Sequence, residues 1–209
     1  MNQDHSTWAA FLQTLPAYLT ALGTLAIAVV AVWGDYLRHK FAGPKLSIEL
    51  RNPRGDLNRT IAGTKLIHYH LRVMNKRKWS VAKNCRVLLK QISRQGPDGN
   101  FQPIPFNVPR QFIWAPAEST PSLIDLSGEH LLDFGLISEA EGQLFQPTLY
   151  SYPNNFQGSV GANEAVKYSL EVVADGFNSK EYHVFEVAWK GKWSDNLDDM
   201  ARNLVVKPA

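Results

Sequence analysis

The chain has 209 residues, of which 44% are hydrophobic and 20% are charged, and its formal net charge is +3. This length allows one ordinary domain with a short appendage, and the hydrophobic content is sufficient for a buried core. The single cysteine, Cys85, excludes an internal disulfide and fits a reducing compartment.

The small net charge hides an uneven distribution along the chain. Residues 1–33 contain one acid and no Lys or Arg, residues 34–95 contain 15 Lys and Arg against 3 acids, and residues 96–209 contain 7 against 15. The middle segment is therefore net +12 and the last is net −8. This asymmetry indicates an anionic surface close to the first half of the protein.

An uncharged segment near the N-terminus, Pro16–Trp33, predicts a membrane-spanning helix, because about 20 apolar residues cross a hydrocarbon core of about 30 Å. We expect a transmembrane and juxtamembrane helix at residues 16–42, after a short extracytoplasmic N-terminus at residues 1–15. A buried core helix is the alternative, but the segment is apolar on all sides and ends at an abrupt basic flank. Aromatic and basic residues are expected to fix that flank at the membrane surface: Trp33, Tyr36, Arg38 and Lys40.

The basic residues around this helix predict its orientation. No Lys or Arg precedes the apolar segment, which argues against a cleaved signal peptide. Five basic residues follow it closely: Arg38, Lys40, Lys45, Arg51 and Arg54. The positive-inside rule then predicts a single-pass protein of the bacterial inner membrane, with its N-terminus outside and residues 34–209 in the cytoplasm. The sequon at Asn58–Thr60 would matter only in an extracellular eukaryotic domain.

The apolar helix also carries a stripe of small residues at helical spacing: Thr20, Thr24, Ala28 and Ala31. Small residues let two helix backbones approach closely in lipid, so the stripe favours self-association. The alternative is that Ala and Thr are simply common in membrane anchors.

Beyond Gly43 and Pro44 the hydrophobic period changes to two, which is typical of β-strands. Strands are predicted in nine segments: Lys45–Arg51, Lys65–Asn75, Ala82–Ile92, Phe112–Ala115, Ser122–Leu126, His130–Leu136, Leu144–Tyr150, Val166–Ala174 and Tyr182–Lys190. Short strands separated by turns, without helices between them, predict a mainly β protein with an antiparallel immunoglobulin-like sandwich of seven to nine strands at residues 45–193. The tail, residues 194–209, has apolar residues at helical spacing and predicts a short C-terminal helix.

The hairpin at Tyr69–Leu89 resembles a known family. Its first strand ends in V-x-N (Val73 to Asn75), and its second opens with A-x-N-x-x-V (Ala82 to Val87). This pattern resembles bacterial immunoglobulin-like sandwiches of the cell-adhesion-related, CARDB-like kind. Trp33–Leu50, this hairpin and Phe134–Ile137 together look like uncharacterised bacterial single-span membrane proteins. The resemblance implies a sandwich fold and a binding role. CARDB-like domains are usually extracytoplasmic, so the cytoplasmic orientation predicted here departs from the family.

No residue pattern predicts an enzyme. His68 and His70 lie on one face of a strand and form a weak candidate Zn²⁺ site, with His130 or His183 as a further ligand, whereas a solvated strand face is the alternative. Cys85 lies on an apolar strand face and is interpreted as a buried core residue. Neither a nucleophile elbow nor a phosphate-binding loop is present in the sequence, and no cofactor is expected.

A basic hairpin loop with an aromatic residue is the strongest binding candidate in the sequence. It comprises Lys76, Arg77, Lys78 and Trp79 and continues into Lys83 and Arg86. Anionic lipid is the first possible partner of this loop, nucleic acid is the second, and an acidic protein surface is the third. For the protein as a whole, nucleic acid is not an expected partner. A solvated turn without a partner is the alternative interpretation.

These observations predict a membrane-anchored, non-enzymatic binding module at the cytoplasmic face of a bacterial membrane. Its expected partners are the lipid bilayer, further copies of itself, and a protein or small ligand that the sequence does not identify. The alternative function is a membrane-perturbing effector of the defence or stress type, in which the sandwich senses a ligand and clustered helices act on the bilayer.

Overall fold

The computed structural model describes the following parts of the chain: residues 4–37, 43–106, 108–140, 143–179 and 181–209. The chain forms two compact units, Met1–Gly43 and Pro44–Ala209. The described residues of the first unit form one α-helix, α1 (Asp4–Leu37). The described residues of the second unit form one short helix and fourteen strands: β1 (Leu46–Leu50), β2 (Asp56–Arg59), β3 (Lys65–Asn75), β4 (Ala82–Gln95), β5 (Phe101–Pro103), β6 (Arg110–Gln111), β7 (Ile113–Ala115), β8 (Ile124–Leu126), β9 (Glu129–Ser138), β10 (Phe145–Pro147), β11 (Glu164–Ala174), β12 (Phe177–Asn178), β13 (His183–Trp189), α2 (Leu197–Asn203) and β14 (Leu204–Pro208).

Helix α1 contains a segment, Thr14–Gly34, that is long and apolar enough to cross a membrane. Its 21 residues have a mean hydropathy of 2.0, and none of this apolar stretch is buried. At 1.5 Å per residue the segment is about 31 Å long, close to the thickness of a hydrocarbon core. The helix begins at Asp4, not at the predicted Pro16, so Pro16 lies inside it. The Thr20 hydroxyl donates to the Pro16 carbonyl, four residues earlier in the helix, at 2.8 Å.

The second unit is mainly β and folds as a sandwich of two antiparallel sheets. The first sheet has the strand order β1-β3-β9-β10, with β2 also paired to β3 and β7 to β9. The second sheet has the order β14-β13-β11-β4-β5, with β12 paired to β11 and both β6 and β8 paired to β4. Strands β3 and β4 follow each other in the chain but belong to different sheets. Their connection, residues 76–81, therefore passes between the sheets at one end of the sandwich.

An aromatic cluster fills the space between the two sheets. Phe134 on β9 lies 5.7 Å from the ring of Tyr168 on β11 and 5.6 Å from that of Phe185 on β13, so it joins the sheets. Phe145 on β10 packs against it at 5.7 Å. A Cβ atom at Gly135 would lie 2.4 Å from Cζ of Phe145, which explains why glycine follows Phe134. All four aromatic side chains are buried, and the core lies wholly within the second unit.

The two ends of the sandwich are defined by the strand registers. Leu46 pairs with Asn75, so Lys45 and the connection at residues 76–81 share one end, which we name the entry end. Arg59 pairs with Lys65, which places the β2–β3 turn at the opposite, far end. The far end also contains the turn at residues 96–100, because β4 runs from the entry end for 14 residues. At about 3.3 Å per residue, the 11 residues of β3 separate the two ends by about 36 Å.

The period-two pattern predicted the long strands correctly, and the predicted sandwich is confirmed. The strand number exceeds the predicted seven to nine because short edge segments also pair, whereas seven strands have five or more residues. The helix in the tail is shorter than the helical spacing of the apolar residues predicted. Helix α2 is capped by the side chain of Asn196 and ends at Asn203. The following residues, Leu204–Pro208, pair with β13 as a strand because Leu204 and Val206 are buried at alternate positions.

Candidate binding surface

The predicted basic residues come together at the entry end of the sandwich. Residues 76–81, which we name the basic loop, connect β3 to β4. Lys83 and Arg86 follow as the second and fifth residues of β4. The loop is a tight turn, in which the Ser80 N–H donates to the Arg77 carbonyl at 3.0 Å. The Lys76 N–H donates to the Lys45 carbonyl at 2.8 Å. The loop is therefore hydrogen-bonded to the residue at which the chain enters the sandwich.

One buried side chain, Asn75, fixes the shape of the basic loop. It is 3% exposed, and its Oδ1 accepts from the N–H groups of Lys45 and Arg77 at 3.2 and 3.0 Å. Its Nδ2 donates to the carbonyls of Ser80 and Leu126 at 2.6 and 3.0 Å. All four hydrogen-bonding positions of the amide are used, which is the full capacity of an asparagine side chain. The loop is thus a defined structure and not a loosely held turn.

The basic loop presents charged and apolar side chains to solvent together. Trp79 is 77% exposed and Val81 is 44% exposed. By contrast, Trp114 and Trp189 of the same sandwich are almost completely buried. Lys78, Lys83 and Arg86 are exposed and form no ion pair with any residue that the structure describes. The entry end therefore offers spare positive charge beside an exposed indole, which is a combination suited to binding.

Acidic residues lie around the basic loop without neutralising it. Nζ of Lys76 is 3.9 Å from Glu49, a long contact between two half-exposed side chains. Asn84 holds two acids, since its N–H donates to Asp125 at 3.0 Å and its Nδ2 donates to Asp175 at 2.7 Å. These two carboxylates are bonded by Asn84, and no cation of the described residues forms an ion pair with either of them. The loop is thus bordered by negative charge, which limits how far a bound polyanion could extend over the sheet.

The roles predicted for the residues of the helix stay predictions. Trp33 and Tyr36 are 60% and 63% exposed, while Arg38 and Lys40 lie outside the described residues. Of the small-residue stripe, the Thr20 and Thr24 hydroxyls bond carbonyls of their own helix at 2.8 and 2.9 Å. The other stripe members, Ala28 and Ala31, are exposed. Self-association along this stripe stays a prediction.

The two candidate metal ligands meet carboxylates in the fold. His68 and His70 lie on the outer face of β3 with their rings 6.2 Å apart. Nδ1 of His70 is 2.8 Å from Asp133 but is not aligned for a hydrogen bond, and its Nε2 is 3.6 Å from Asp56. Burial is the main reason why the pKa of His68 is lowered. The sequence did not predict Asp133 as a neighbour, because only the strand register opposes it to His70.

The further ligands considered for a metal lie elsewhere. The ring of His130 packs against Trp114 at 5.7 Å, and His183 lies on β13 of the other sheet. Within the described ranges, no group of three or more His, Cys, Asp or Glu side chains has the arrangement to hold a metal ion. The Zn²⁺ hypothesis therefore gains no third ligand here.

Cys85 is completely buried on β4, and burial raises the pKa of its thiol to about 12. A buried thiol that stays protonated at neutral pH is a core residue and not a nucleophile.

A cleft that the sequence did not indicate lies on the second sheet between Ile104, Phe106 and Phe156. Arg110 also lines this cleft, and its Nε is buried without a hydrogen-bond partner among the described atoms.

Comparison with known proteins adds no functional assignment to this geometry. No family model matches the chain, and no curated protein is significantly similar to it. The resemblance to CARDB-like sandwiches therefore stays a prediction.

Proposed function

We propose that this protein is a membrane-anchored, non-enzymatic binding module at the cytoplasmic face of a bacterial membrane. Helix α1 serves as the anchor, and the sandwich presents its binding surface at the entry end. The observation that carries the proposal is that none of the apolar segment of helix α1 is buried, whereas the sandwich buries a core of its own.

The exposure of the helix indicates the medium that surrounds it. Side chains such as Ile27 and Val32 are 72% and 75% exposed, and none of the apolar stretch between Thr14 and Gly34 is buried. Apolar surface left in water is unfavourable by about 25 cal/mol for each Å². The sandwich does not need this helix, because its core residues all lie between Ile48 and Val206. A lipid bilayer supplies the apolar surroundings that this helix lacks in water.

The charge pattern supports the orientation. No Lys or Arg precedes the helix, whereas basic residues follow it from Arg38 onward. Positively charged segments close to a span are retained in the cytoplasm. The sandwich is therefore cytoplasmic in this proposal, where the reducing environment suits a chain with one buried cysteine and no disulfide.

The experiment that tests the proposal is a topology measurement on the full chain in intact cells. Single cysteines replace Gln3 in one variant and Asp98 in another, and a membrane-impermeant maleimide is added. Cys85 need not be removed, because it is buried and its thiol has a raised pKa, and the unsubstituted chain serves as the control.

We expect labelling at position 3 alone in intact cells and labelling at both positions after lysis. Alkaline carbonate extraction of the membranes should leave the chain in the pellet. Labelling at position 98 in intact cells would reverse the orientation, and release by carbonate would contradict the anchor itself.

A further inference from the structure

We propose that the basic loop docks on the anionic headgroups of the bilayer that holds helix α1, so that the sandwich lies with its entry end against the membrane. This inference rests on the proposed anchoring and adds a defined lipid contact to it. The docking residues are exposed and lie on the loop or at the start of β4: Lys78, Trp79, Val81, Lys83 and Arg86.

The first argument is the composition of the exposed surface. Three cations that form no ion pair with the described residues lie within seven residues of an indole that is 77% exposed. Indole rings are enriched where a membrane meets water, because they combine an apolar body with a polar N–H. Cations near an anionic leaflet are attracted to it, with an effect of about fivefold in binding for each one close to the surface. Trp79 and Val81 can enter the headgroup layer while Lys78, Lys83 and Arg86 contact phosphates.

The second argument is the position of the loop relative to the chain's entry point. Asn75 and Lys76 bond directly to Lys45, which is 11 residues beyond Gly34 at the end of the apolar segment. A fully extended chain of that length reaches at most about 40 Å. A tether this short gives the loop a high effective concentration at the surface, so weak individual contacts suffice for docking.

The third argument is pre-organisation. The Asn75 amide uses all of its hydrogen-bonding positions to hold the loop, so little conformational entropy is lost when the loop meets a surface. Asn75 fixes the backbone on both sides of Trp79, at Arg77 and at Ser80. The fixed geometry therefore favours a functional surface.

The surroundings of the loop favour a membrane over nucleic acid. Proteins that bind single strands use a basic groove that follows the backbone over several nucleotides. Here the docking cations lie on the loop and at the start of β4, and the carboxylates of Glu49, Asp125 and Asp175 interrupt the basic surface around them. A bilayer surface does not require a continuous basic groove.

The experiment uses the full chain in lipid nanodiscs loaded with one copy each, which excludes contacts between neighbouring copies. An environment-sensitive NBD fluorophore is attached to a cysteine at Val81 and, in a second sample, to a cysteine at Asp98 in the far-end turn. Buried Cys85 stays unlabelled under native conditions. The discs contain phosphatidylcholine alone or a mixture with phosphatidylglycerol.

We expect a blue shift and a stronger emission at position 81 in the anionic discs only, with no change at position 98. The shift should weaken in 1 M salt, where charges are screened beyond about 3 Å. An equal shift in neutral discs, no shift in either, or a shift at position 98 would overturn the docking.

Paired variants test which side chains are responsible. Lys78→Glu with Lys83→Glu should lower the docked-to-free ratio about 25-fold or more, at about fivefold for each lost cation. The matched control is Lys190→Glu with Lys192→Glu, which reverses two exposed lysines at the far end and should leave the ratio unchanged. An equal effect of both pairs would show a general charge effect and contradict a specific loop contact.

The apolar contribution has its own pair of variants. Trp79→Ala should reduce the shift at position 81, whereas Ile61→Ala, which alters a fully exposed apolar residue in the far-end β2–β3 turn, should not. If Trp79→Ala has no effect, the indole does not enter the headgroup layer and this part of the inference is wrong.

Two further outcomes separate the inferences. A chain that does not co-elute with the discs would overturn the anchoring, and with it the docking. A chain that is incorporated, but whose probe at position 81 does not respond to anionic lipid, would overturn the docking alone. A response to a short single-stranded oligonucleotide in neutral discs would assign the loop to nucleic acid instead.

Discussion

Two arginines of one strand, Arg86 and Arg94, show how differently the two ends of the sandwich use positive charge. Arg94, towards the far end of β4, contacts Glu164 and donates to the carbonyls of Gln157 and Ser159 at 2.6 and 3.0 Å. Arg86, eight residues earlier at the entry end, is exposed and has no ion pair within the described ranges. A cation that already holds carbonyls and a carboxylate stabilises the fold, whereas an unpaired one remains available to a partner.

The same contrast extends to the neighbouring side chains. At the far end Lys65 contacts Asp195 and Glu139, and Arg54 lies 3.0 Å from Asp198. These partners are acids of the negatively charged second half of the sequence. Contacts between the two halves of the chain therefore pair Lys65 and Arg54 with acids. At the entry end, by contrast, Lys78, Lys83 and Arg86 form no ion pair with the described residues.

The largest effect is expected from the core that both ends share. Phe134→Ala should lower the free energy of unfolding by about 4 kcal/mol, because it removes a buried ring that joins the two sheets. Urea denaturation followed by fluorescence and by circular dichroism should show one coincident transition. Phe134→Leu, which keeps most of the volume, should cost much less. Two separate transitions would mean that the ends fold independently and are not parts of one cooperative unit.

The next effect concerns the entry end alone. Asn75→Ala should cost about 2 kcal/mol, because the buried carbonyl of Leu126 and the N–H groups of the loop lose their partner. Asn100→Ala in the exposed far-end turn removes only a local contact with Asp98 and should stay within about 0.5 kcal/mol of the unsubstituted chain. Urea denaturation gives both values, and limited trypsin digestion should become faster at the basic loop of the first variant. Equal stability losses would contradict the assigned role of Asn75.

A smaller effect separates the two arginines directly. Arg94→Met should lower the free energy of unfolding by about 1 kcal/mol, a value reduced by the partial exposure of the pair with Glu164. Arg86→Met should leave stability unchanged or slightly higher, because it removes one charge from a region of like charge. Thermal unfolding of both variants measures the difference. A stability loss in Arg86→Met equal to that of Arg94→Met would show that the entry-end charge is structural after all.

Much of this architecture could be predicted from periodicity, but the short elements could not. The alternation of apolar and polar residues predicted both β3 and β4, which lie in different sheets. Strand β12 has only two residues, so it contains too little pattern to predict. In the tail, Met200 and Leu204 share helical spacing, although Leu204 opens a strand because β13 offers it an edge to pair with.

The binding surface shows a similar division. The sequence identified the cations and Trp79, because they are adjacent in the chain. It did not identify Asn75 as the residue that shapes the loop, since that role depends on Leu126, which is 51 residues away. Nor could it show which cations remain unpaired, because the acids that pair with Lys65 and Arg54 lie more than 70 residues away in the sequence.

The smallest expected effect is a dependence of stability on pH, which arises from histidines between the two ends. Burial lowers the pKa of His68 and of His183, so the unfolded chain takes up protons more readily than the folded chain when the pH falls through about 6.5. Protonation of these two histidines therefore does not affect stability above that pH. Stability decreases as the pH falls from there towards the folded-state pKa values. Below those values the two histidines cause no further loss. The carboxyls of Asp98 and Asp195 do not interfere, because their hydrogen bonds lower their pKa values and they titrate in more acidic solution.

Melting temperatures between pH 7.5 and 5.5 should fall for the unsubstituted chain and fall less for His68→Gln, since a side chain that does not titrate removes its share of the slope. An unchanged slope in this variant would mean that His68 is as easily protonated in the sandwich as in the unfolded chain, and that the carboxylates of Asp133 and Asp56 offset its burial.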